Sequence, residues 1–143
     1  QGAGPVLTEL QALKEELGLK NIIFREPVTK IEMPGILKEV DVALVPLRKL
    51  DLFTGAIPSK IFEAQAMKIP LLLGVEGEAK LHFIDRAEAG LFYEPENSEE
   101  MAKRMIEMAS NPDGLKKMGF NARVYVTENF NRNTIAESFK KVL

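Results

Sequence analysis

The sequence contains no cysteine, no tryptophan and only one histidine, His82. Without cysteine the chain has no disulfide framework and no thiolate for catalysis. One histidine cannot form a histidine metal cluster, and neither Ser59 nor Ser98 has a supporting histidine for nucleophilic catalysis. We interpret His82 as an ordinary surface residue of a polar helix, and we expect neither a metal nor a cofactor.

The sequence also lacks long runs of a single character. No apolar stretch approaches the roughly 20 residues of a membrane span, no signal peptide is visible, and no long basic run accompanies the net charge of -2. We therefore expect a cytoplasmic protein that does not bind nucleic acid. Because the chain begins without methionine and within a motif, it is expected to be a fragment of a longer protein.

Short apolar runs alternate with helix-like segments along the 143 residues. Four strands are predicted, at 22–24, 41–46, 70–74 and 90–93. The runs inside 41–46 and 70–74 are continuous, which is typical of strands covered on both faces of a parallel sheet. Strands that alternate with helices connect by right-handed crossovers. The sequence thus predicts one α/β domain over residues 1–143, with a Rossmann-like parallel sheet flanked by helices.

Apolar residues at helical spacing, together with capping residues, place the helices. Asn97 or Ser98 is expected to cap one helix, and Gly18 to end another. The helices are predicted over 6–17, about 30–39 after a Thr29 cap, 59–67, about 77–89, from 98 to a break at Asn111-Pro112, through 115–126, and 131–143. The side chains expected to face the core from the helix at 98 are Met101, Met105, Ile106 and Met108.

The stretch Gly-Ala-Ile-Pro-Ser-Lys-Ile-Phe-Glu at 55–63 carries the clearest chemical signal. Pro58 suits the first helical position, because the amide that proline lacks would have no intrahelical partner there. The amides of Ser59, Lys60 and Ile61 would then be unpaired at the positive end of the helix dipole, which is a site for phosphate. Lys60 adds a charge, and Glu63 lies one turn further on to accept hydroxyl groups.

Each of these charges also has a simpler interpretation. Lys60 and Glu63 have the spacing of an ordinary ion pair on a helix surface. Arg48 and Lys49 are either charges of a solvated loop or contacts to a diphosphate. These alternatives stay open on the sequence alone.

Several predicted loops follow the carboxyl ends of the strands. In a parallel sheet such loops meet at one edge, where ligands bind. Glu76 and Glu78 in this region are either acceptors for substrate hydroxyls or solvated side chains. The loops expected to converge are 2–4, 26–29, 46–59 and 74–77.

An ordered series of motifs gives the sequence a family resemblance. It is similar to the C-terminal half of retaining GT-B glycosyltransferases, and most similar to the bacterial branch with a Pro-Ser-Lys…Glu element that builds capsular, O-antigen or N-linked glycans. The motifs are Gly2-Ala-Gly-Pro5, Leu17-Gly-Leu-Lys-Asn-Ile-Ile-Phe24, Val40-Asp-Val-Ala-Leu-Val-Pro46, Pro58-Ser-Lys-Ile-Phe-Glu63, Ala66-Met-Lys-Ile-Pro70, Ala89-Gly-Leu-Phe92 and Met118-Gly-x-Asn-Ala-Arg123.

The resemblance implies that this half binds a nucleotide-sugar donor. By the same resemblance Glu63 holds the ribose hydroxyls, and Ser59 at the helix start contacts the diphosphate. Lys60 lies beside that contact as a possible stabiliser of the diphosphate. The donor-binding residues implied are Gly2 and Gly4 near the nucleotide, Pro27 and Val28 at the base, and Ile57, Pro58, Ser59, Lys60 and Glu63.

The resemblance also implies parts that this chain lacks. Many relatives carry a second glutamate eight positions before Glu63, and Gly55 stands there. The family's opening strands, the Arg/Lys pair that neutralises the leaving diphosphate, and the acceptor-binding domain would all precede Gln1. We therefore expect a UDP-sugar-binding domain whose intact protein is a hexosyltransferase, acts on a glycan or lipid-linked acceptor and associates peripherally with membranes. The isolated chain is expected to be inactive.

Two non-catalytic alternatives share the α/β outline. A receiver-like module would need an acidic residue at a strand end, where Pro46 stands. A degenerate donor domain would have an empty or blocked cleft at Ser59 and Glu63.

Overall fold

The computed structural model describes residues 4–131 together with 133, 136, 139 and 140. Its contacts divide the chain into two compact units, 1–35 and 36–143, each with its own structure. The expectation of a single domain over the whole chain stays a prediction. No helix in the described part of the chain is both long and apolar enough to cross a membrane.

The first unit is built around one helix, α1 (Leu7–Glu16), which ends at Gly18 as predicted. Gly18 has a φ of 62°, a left-handed conformation that glycine adopts without steric cost. The predicted strand at 22–24 is wrong, because no described segment pairs with it and a strand requires a hydrogen-bonded neighbour.

A short helix, α2 (Met33–Leu37), crosses the division between the units and is shorter than predicted. Thr29 does organise its start, because the Thr29 amide and hydroxyl both donate to the Glu32 carboxylate, at 2.9 and 2.7 Å. Pro34 lies in the first turn, where its missing amide proton has no intrahelical acceptor to lose.

The second unit alternates strands and helices as the sequence predicts. A single 3₁₀ turn, Asp51–Phe53, interrupts the loop after the first strand. One helix starts as α4 (Glu78–Lys80) and continues as a π-helical segment, Leu81–Arg86. The strands are β1 (Ala43–Pro46), β2 (Leu71–Gly74) and β3 (Gly90–Phe92), and the helices are α3 (Ser59–Ala66), α4 (Glu78–Lys80), α5 (Ser98–Ala109) and α6 (Pro112–Asn129).

The described sheet has three parallel strands in the order β1-β2-β3, rather than the four predicted. All four residues of β2 are buried, as expected for a central strand. β1 is not covered on both faces, which corrects the prediction: it is an edge strand, and Leu44 is 40% exposed. An edge position also accommodates Pro46, which cannot donate to a ladder.

Each face of the sheet carries its own apolar cluster. On one face Val45, Leu73 and Ile61 of α3 pack with Phe83. On the other face Leu72 packs with Met108 of α5 and with Tyr93. The predicted inward position of Met108 is confirmed, whereas Met105 and Ile106 are 50% and 67% exposed. They point away because α5 buries only one narrow side against the sheet.

The predicted cap of α5 and the predicted break at Asn111-Pro112 are confirmed, and Asn111 also caps α6. The Asn97 side chain accepts a hydrogen bond from the Glu100 amide, and the Asn111 side chain accepts one from the Gly114 amide. Pro112 follows Asn111 at the first position of α6. The helix predicted over 131–143 falls mostly outside the described residues.

Helix α6 holds the carboxyl end of α3. Arg123 donates a hydrogen bond to the Ala66 carbonyl at 2.6 Å, where the negative end of the α3 dipole favours a cation. Gly119 lies against the Lys68 carbonyl so closely that any side chain would collide with it. Lys68 itself has a φ of 61°, which turns the chain out of the helix. These contacts fix where the other end of α3 lies.

Candidate functional site

The amino end of α3 follows the loop from β1, at the carboxyl edge of the sheet. The helix begins at Ser59, as the predicted range 59–67 has it, but Pro58 is not its first helical residue as predicted. Pro58 takes the N-cap position, with φ of −58° and ψ of 131°. Its ψ is extended rather than helical, so the chain enters the helix through a sharp change of direction.

The first amides of α3 differ in how they are satisfied. The Ile61 amide donates to the Pro58 carbonyl at 3.0 Å, so the prediction that it is unpaired is wrong. The amides of Ser59 and Lys60 have no backbone acceptor among the described residues, and no side chain caps the helix. Two amides therefore remain available to an anion at this helix end.

The side chains at this end of α3 divide by face. Ile61, Ala64 and Gln65 are buried, whereas Lys60 and Glu63 are exposed. Within the described part of the chain neither Lys60 nor Glu63 forms an ion pair, so the surface pair that their spacing allows is absent. A cation and a carboxylate thus lie one turn apart on the same helix, without protein partners in that part of the chain.

Two of the loops expected to converge do so. The Leu47 amide donates to the Gly74 carbonyl at 3.1 Å, and the Glu78 amide donates to the Thr54 carbonyl at 2.8 Å. Gly77 has a φ of 75° and leaves no room for a side chain beside Thr54. The loop after β2 therefore supports the loop that leads into α3.

The two basic residues of the loop after β1 have different surroundings. The Lys49 ammonium forms an ion pair with Glu94, and the Lys49 amide donates to Glu96 at 3.2 Å. Glu94, then Glu76 and Glu96, raise the pKa of Lys49. Lys49 thus ties this loop to the one after β3. The Arg48 side chain is exposed and has no partner among the described residues, while the Arg48 carbonyl accepts the Leu50 amide at 3.0 Å.

His82 is not the surface residue that the sequence indicates. Its side chain is 21% exposed and lies between α6 and Glu78. One ring nitrogen is 2.8 Å from the Tyr125 hydroxyl, the other is 3.4 Å from the Glu78 carboxylate, and the ring packs edge-on against Phe130. Glu78, a proposed acceptor for hydroxyl groups, is therefore engaged with His82.

Ile57, in the second unit, is partly buried and packs against the core cluster that contains Ile61. The other predicted site residues belong to the first unit. Gly4 and Pro27 are exposed, and Val28 is partly buried. Gly2 lies outside the described residues. Among those residues no three histidine, aspartate or glutamate side chains form a possible metal site. The expectations of a metal-free site and of base contacts at Pro27 and Val28 stay predictions.

Sequence reasoning missed the contacts that α6 makes with the carboxyl end of α3 and with the segment before β3. Gly119, Asn121 and Arg123 were singled out only as parts of a motif. In the structure Asn121 donates to the Glu88 carbonyl at 3.3 Å, as Arg123 does to Ala66. A glycine and two polar residues stand out in a helix that otherwise carries an apolar stripe, and the sequence shows that much. The residues they contact lie far away in the sequence, so the sequence does not show which ones they are.

A sequence comparison decides the family. Residues 1–125 match the family described as glycosyl transferases group 1. The chain belongs to this family. No curated protein matches the sequence of this glycosyltransferase domain. Family membership sets aside the receiver-like alternative.

Solved structures show the same fold at low sequence identity. Sucrose-phosphate synthase from Thermosynechococcus elongatus superimposes with a TM-score of 0.82 and 20% identity over 99% of this chain and 36% of that one. A Staphylococcus aureus TarM variant, solved with fondaparinux, α-GlcNAc-glycerol and UDP, superimposes with a TM-score of 0.76 and 18% identity. That match covers 96% of this chain and 27% of the TarM chain. The domain therefore has the Rossmann-like fold of a GT-B C-terminal half, and it spans about a third of the length of these enzymes.

Proposed function

We propose that this domain binds the nucleotide-sugar donor, a UDP-sugar, of a retaining glycosyltransferase of the Pro-Ser-Lys…Glu branch. The observation that carries the proposal is the amino end of α3. Two amides, a lysine and a glutamate lie there within about one helical turn, and none of these groups has a partner among the described residues.

The diphosphate is assigned to the start of α3. The Ser59 and Lys60 amides point out of the helix end, where the dipole favours negative charge. The Lys60 ammonium adds a full charge without first having to leave a protein partner in the described part of the chain. In the intact enzyme these groups would stabilise the charge of the departing diphosphate, so donor cleavage requires no protein nucleophile.

The ribose is assigned to Glu63. A carboxylate accepts hydrogen bonds from two vicinal hydroxyls, and Glu63 lies one turn beyond Lys60 on the exposed side of α3. Gly55 offers no carboxylate to the sugar, and the space beside it is open. The contacts to the sugar must therefore come from other groups.

The preference for uridine and the full activity rest on likeness to relatives. TarM was crystallised with UDP, which supports a uridine nucleotide here. We assign hexosyl transfer to a glycan or lipid-linked acceptor to the intact protein, together with an acceptor-binding domain and peripheral contact with a membrane. We do not expect turnover by the isolated chain. The acceptor-binding domain and the Arg/Lys pair that the family resemblance implies are not among its residues.

Titration of the isotope-labelled chain with UDP, uridine and GDP, followed by backbone amide NMR shifts, tests the donor site. We expect saturable shifts at Ser59, Lys60 and Glu63 with UDP, and weaker binding of uridine, because it lacks the diphosphate. Lys60→Ala should weaken UDP about fivefold or more while leaving uridine unchanged. The matched control is Lys103→Ala, which removes an exposed lysine from α5.

The outcome separates the donor domain from a degenerate one. If UDP shifts amides elsewhere, or if Lys60→Ala and Lys103→Ala behave alike, the assignment of the diphosphate to α3 is wrong. If GDP binds as well as UDP, the assignment of uridine is wrong while the phosphate site stands. If no nucleotide binds, the degenerate alternative is favoured.

A further inference from the structure

A second candidate site lies between the loop after β1 and the loop after β3. It is a groove of about 710 Å³, within the range of about 300–1,000 Å³ that small-molecule sites occupy. Leu50, Phe53 and Met101 supply an apolar wall, and Arg48, Tyr93 and Ser98 supply polar groups. None of these six residues belongs to the donor site on α3.

Tyr93 gives this groove a hydroxyl that has no protein partner in the described part of the chain. The residue is only 3% exposed, and the phenol end of its ring lies against Gly74. Its hydroxyl has no hydrogen-bond partner among the described residues. Burial raises the pKa of Tyr93, so the hydroxyl is neutral and keeps its proton to donate. The hydroxyl oxygen itself is not enclosed by protein, so it can donate to a ligand group or to water in the groove.

The other polar groups of the groove are mostly donors. The Arg48 guanidinium is unpaired within the described part of the chain. The amide and hydroxyl of Ser98 lie at the start of the twelve-residue α5, and neither has a partner among the described residues. The Asn97 side chain is used for the Glu100 amide, so it does not serve Ser98.

One carboxylate also lines the groove. The Glu96 carboxylate accepts a hydrogen bond from the Lys49 amide at 3.2 Å. Its negative charge also interacts with the Lys49 ammonium and raises the pKa of Lys49. The negative charge on that side is therefore partly balanced by a residue outside the groove wall. Arg48 is the cation that faces a ligand.

We propose that this groove is a second ligand site, for a small amphipathic anion. Its flat apolar body packs on Leu50, Phe53 and Met101, and its carboxylate or phosphate binds Arg48 and the Ser98 amide. The Tyr93 hydroxyl donates to an acceptor on the ligand. The volume suits a ligand of one or two rings, and a purely apolar ligand would leave the guanidinium and the hydroxyl unmatched.

The test uses three probes of one shape: 2-naphthoate, 2-naphthyl phosphate and neutral 2-naphthamide. Each is titrated into the labelled 143-residue chain and followed by backbone amide NMR shifts. We expect saturable shifts at Leu50, Tyr93, Ser98 and Met101 for both anions, with naphthamide binding about fivefold more weakly or worse. The two anions distinguish a carboxylate from a phosphate head group.

Two variants separate the head group from the apolar wall. Arg48→Gln should weaken both anions about fivefold and leave naphthamide unchanged. Arg86→Gln removes an exposed arginine from the π-helical segment and is the matched control. Tyr93→Phe keeps the ring and removes only the hydroxyl, and it should weaken all three probes by a few fold.

Three results would overturn the proposal. The first is the absence of shifts at the groove amides up to the solubility limit of the anions. The second is equal binding of naphthoate and naphthamide. The third is the same effect from Arg48→Gln as from Arg86→Gln. Because Arg48 is exposed, its variant is expected to fold, so a negative result cannot be ascribed to unfolding.

Discussion

The two ends of α3 are built for opposite purposes. At the amino end Ser59, Lys60 and Glu63 are exposed and make no ion pair with the described residues. At the carboxyl end the last carbonyls are covered by α6, through the Arg123 hydrogen bond and the close approach of Gly119. The carboxyl end of the helix is thus held by α6, and the polar groups of its amino end are available to bind a ligand.

The difference explains how a helix of eight residues can carry a binding site. A short helix is marginal alone and takes its stability from packing. Ile61 and Ala64 supply that packing against the sheet, so the exposed polar residues need not contribute to folding. Substitutions at the two ends should therefore separate stability from binding.

The largest loss of stability is expected from Gly119→Ala. The new methyl group would collide with the Lys68 carbonyl, and backbone cannot easily move aside. We expect the free energy of unfolding to fall by about 1–3 kcal/mol, although alanine favours a helix by about 1 kcal/mol. Urea unfolding measures this.

The same substitution at Gly35 is the control. Gly35 also lies in a helix, but the space beside it is open. Gly35→Ala should therefore leave stability unchanged or raise it slightly. Equal effects of the two substitutions would show that the contact between position 119 and the Lys68 carbonyl does not affect the free energy of unfolding.

A smaller loss is expected from Arg123→Ala. It removes the hydrogen bond to Ala66 and the favourable charge at the α3 carboxyl end. Because Arg123 is exposed, we expect a loss of about 1 kcal/mol or less in unfolding free energy. Lys116→Ala on the same helix breaks only an exposed pair with Asp113 and should cost less. If the order of the two variants is reversed, Arg123 does not hold the helix.

Gln65→Met tests a buried side-chain oxygen near the carboxyl end of α3 that has no hydrogen-bond partner among the described residues. Gln65 is fully buried, its amide nitrogen donates to the Ile69 carbonyl at 3.4 Å, and its oxygen has no described partner. Methionine has a similar shape without that unsatisfied oxygen. Stability should stay within about 1 kcal/mol of the wild type. A loss above about 2 kcal/mol in urea unfolding would mean that the amide is well satisfied.

The smallest change in stability, and the largest in binding, is expected from Glu63→Ala. The side chain is exposed and has no described partner, so unfolding should shift by less than about 0.5 kcal/mol. UDP affinity should fall about tenfold, because hydrogen bonds from the ribose to a charged group are lost. Calorimetric titration measures the affinity. Glu128→Ala on α6 is the control, and equal affinities for the two variants would remove Glu63 from the site.

Features set by neighbouring residues were predictable from the sequence. Gly18 ends α1, Asn97 caps α5 and Pro112 starts α6 because the relevant contacts span only a few residues. The parallel α/β arrangement followed from apolar runs that alternate with helices. The pattern of Ser59, Lys60 and Glu63 on one exposed side of α3 also follows from helical spacing.

Features set by distant residues were not predictable. Leu44 is exposed because β2 is the one described strand beside β1, and a run of apolar residues does not reveal which strand lies at the edge. His82 was assigned to the surface because its partner Tyr125 is 43 residues away. In the sequence Tyr93 looks like any aromatic residue at the end of a strand. Its position in a groove depends on loops that lie far from it in the sequence.

The central claim is that the amino end of α3 binds the donor diphosphate. Crystals of the chain grown with saturating UDP test it most directly. We expect density for the diphosphate within hydrogen-bonding distance of the Ser59 and Lys60 amides, with the ribose hydroxyls on Glu63. Density for UDP at any other place on the domain, with the start of α3 empty, would contradict it.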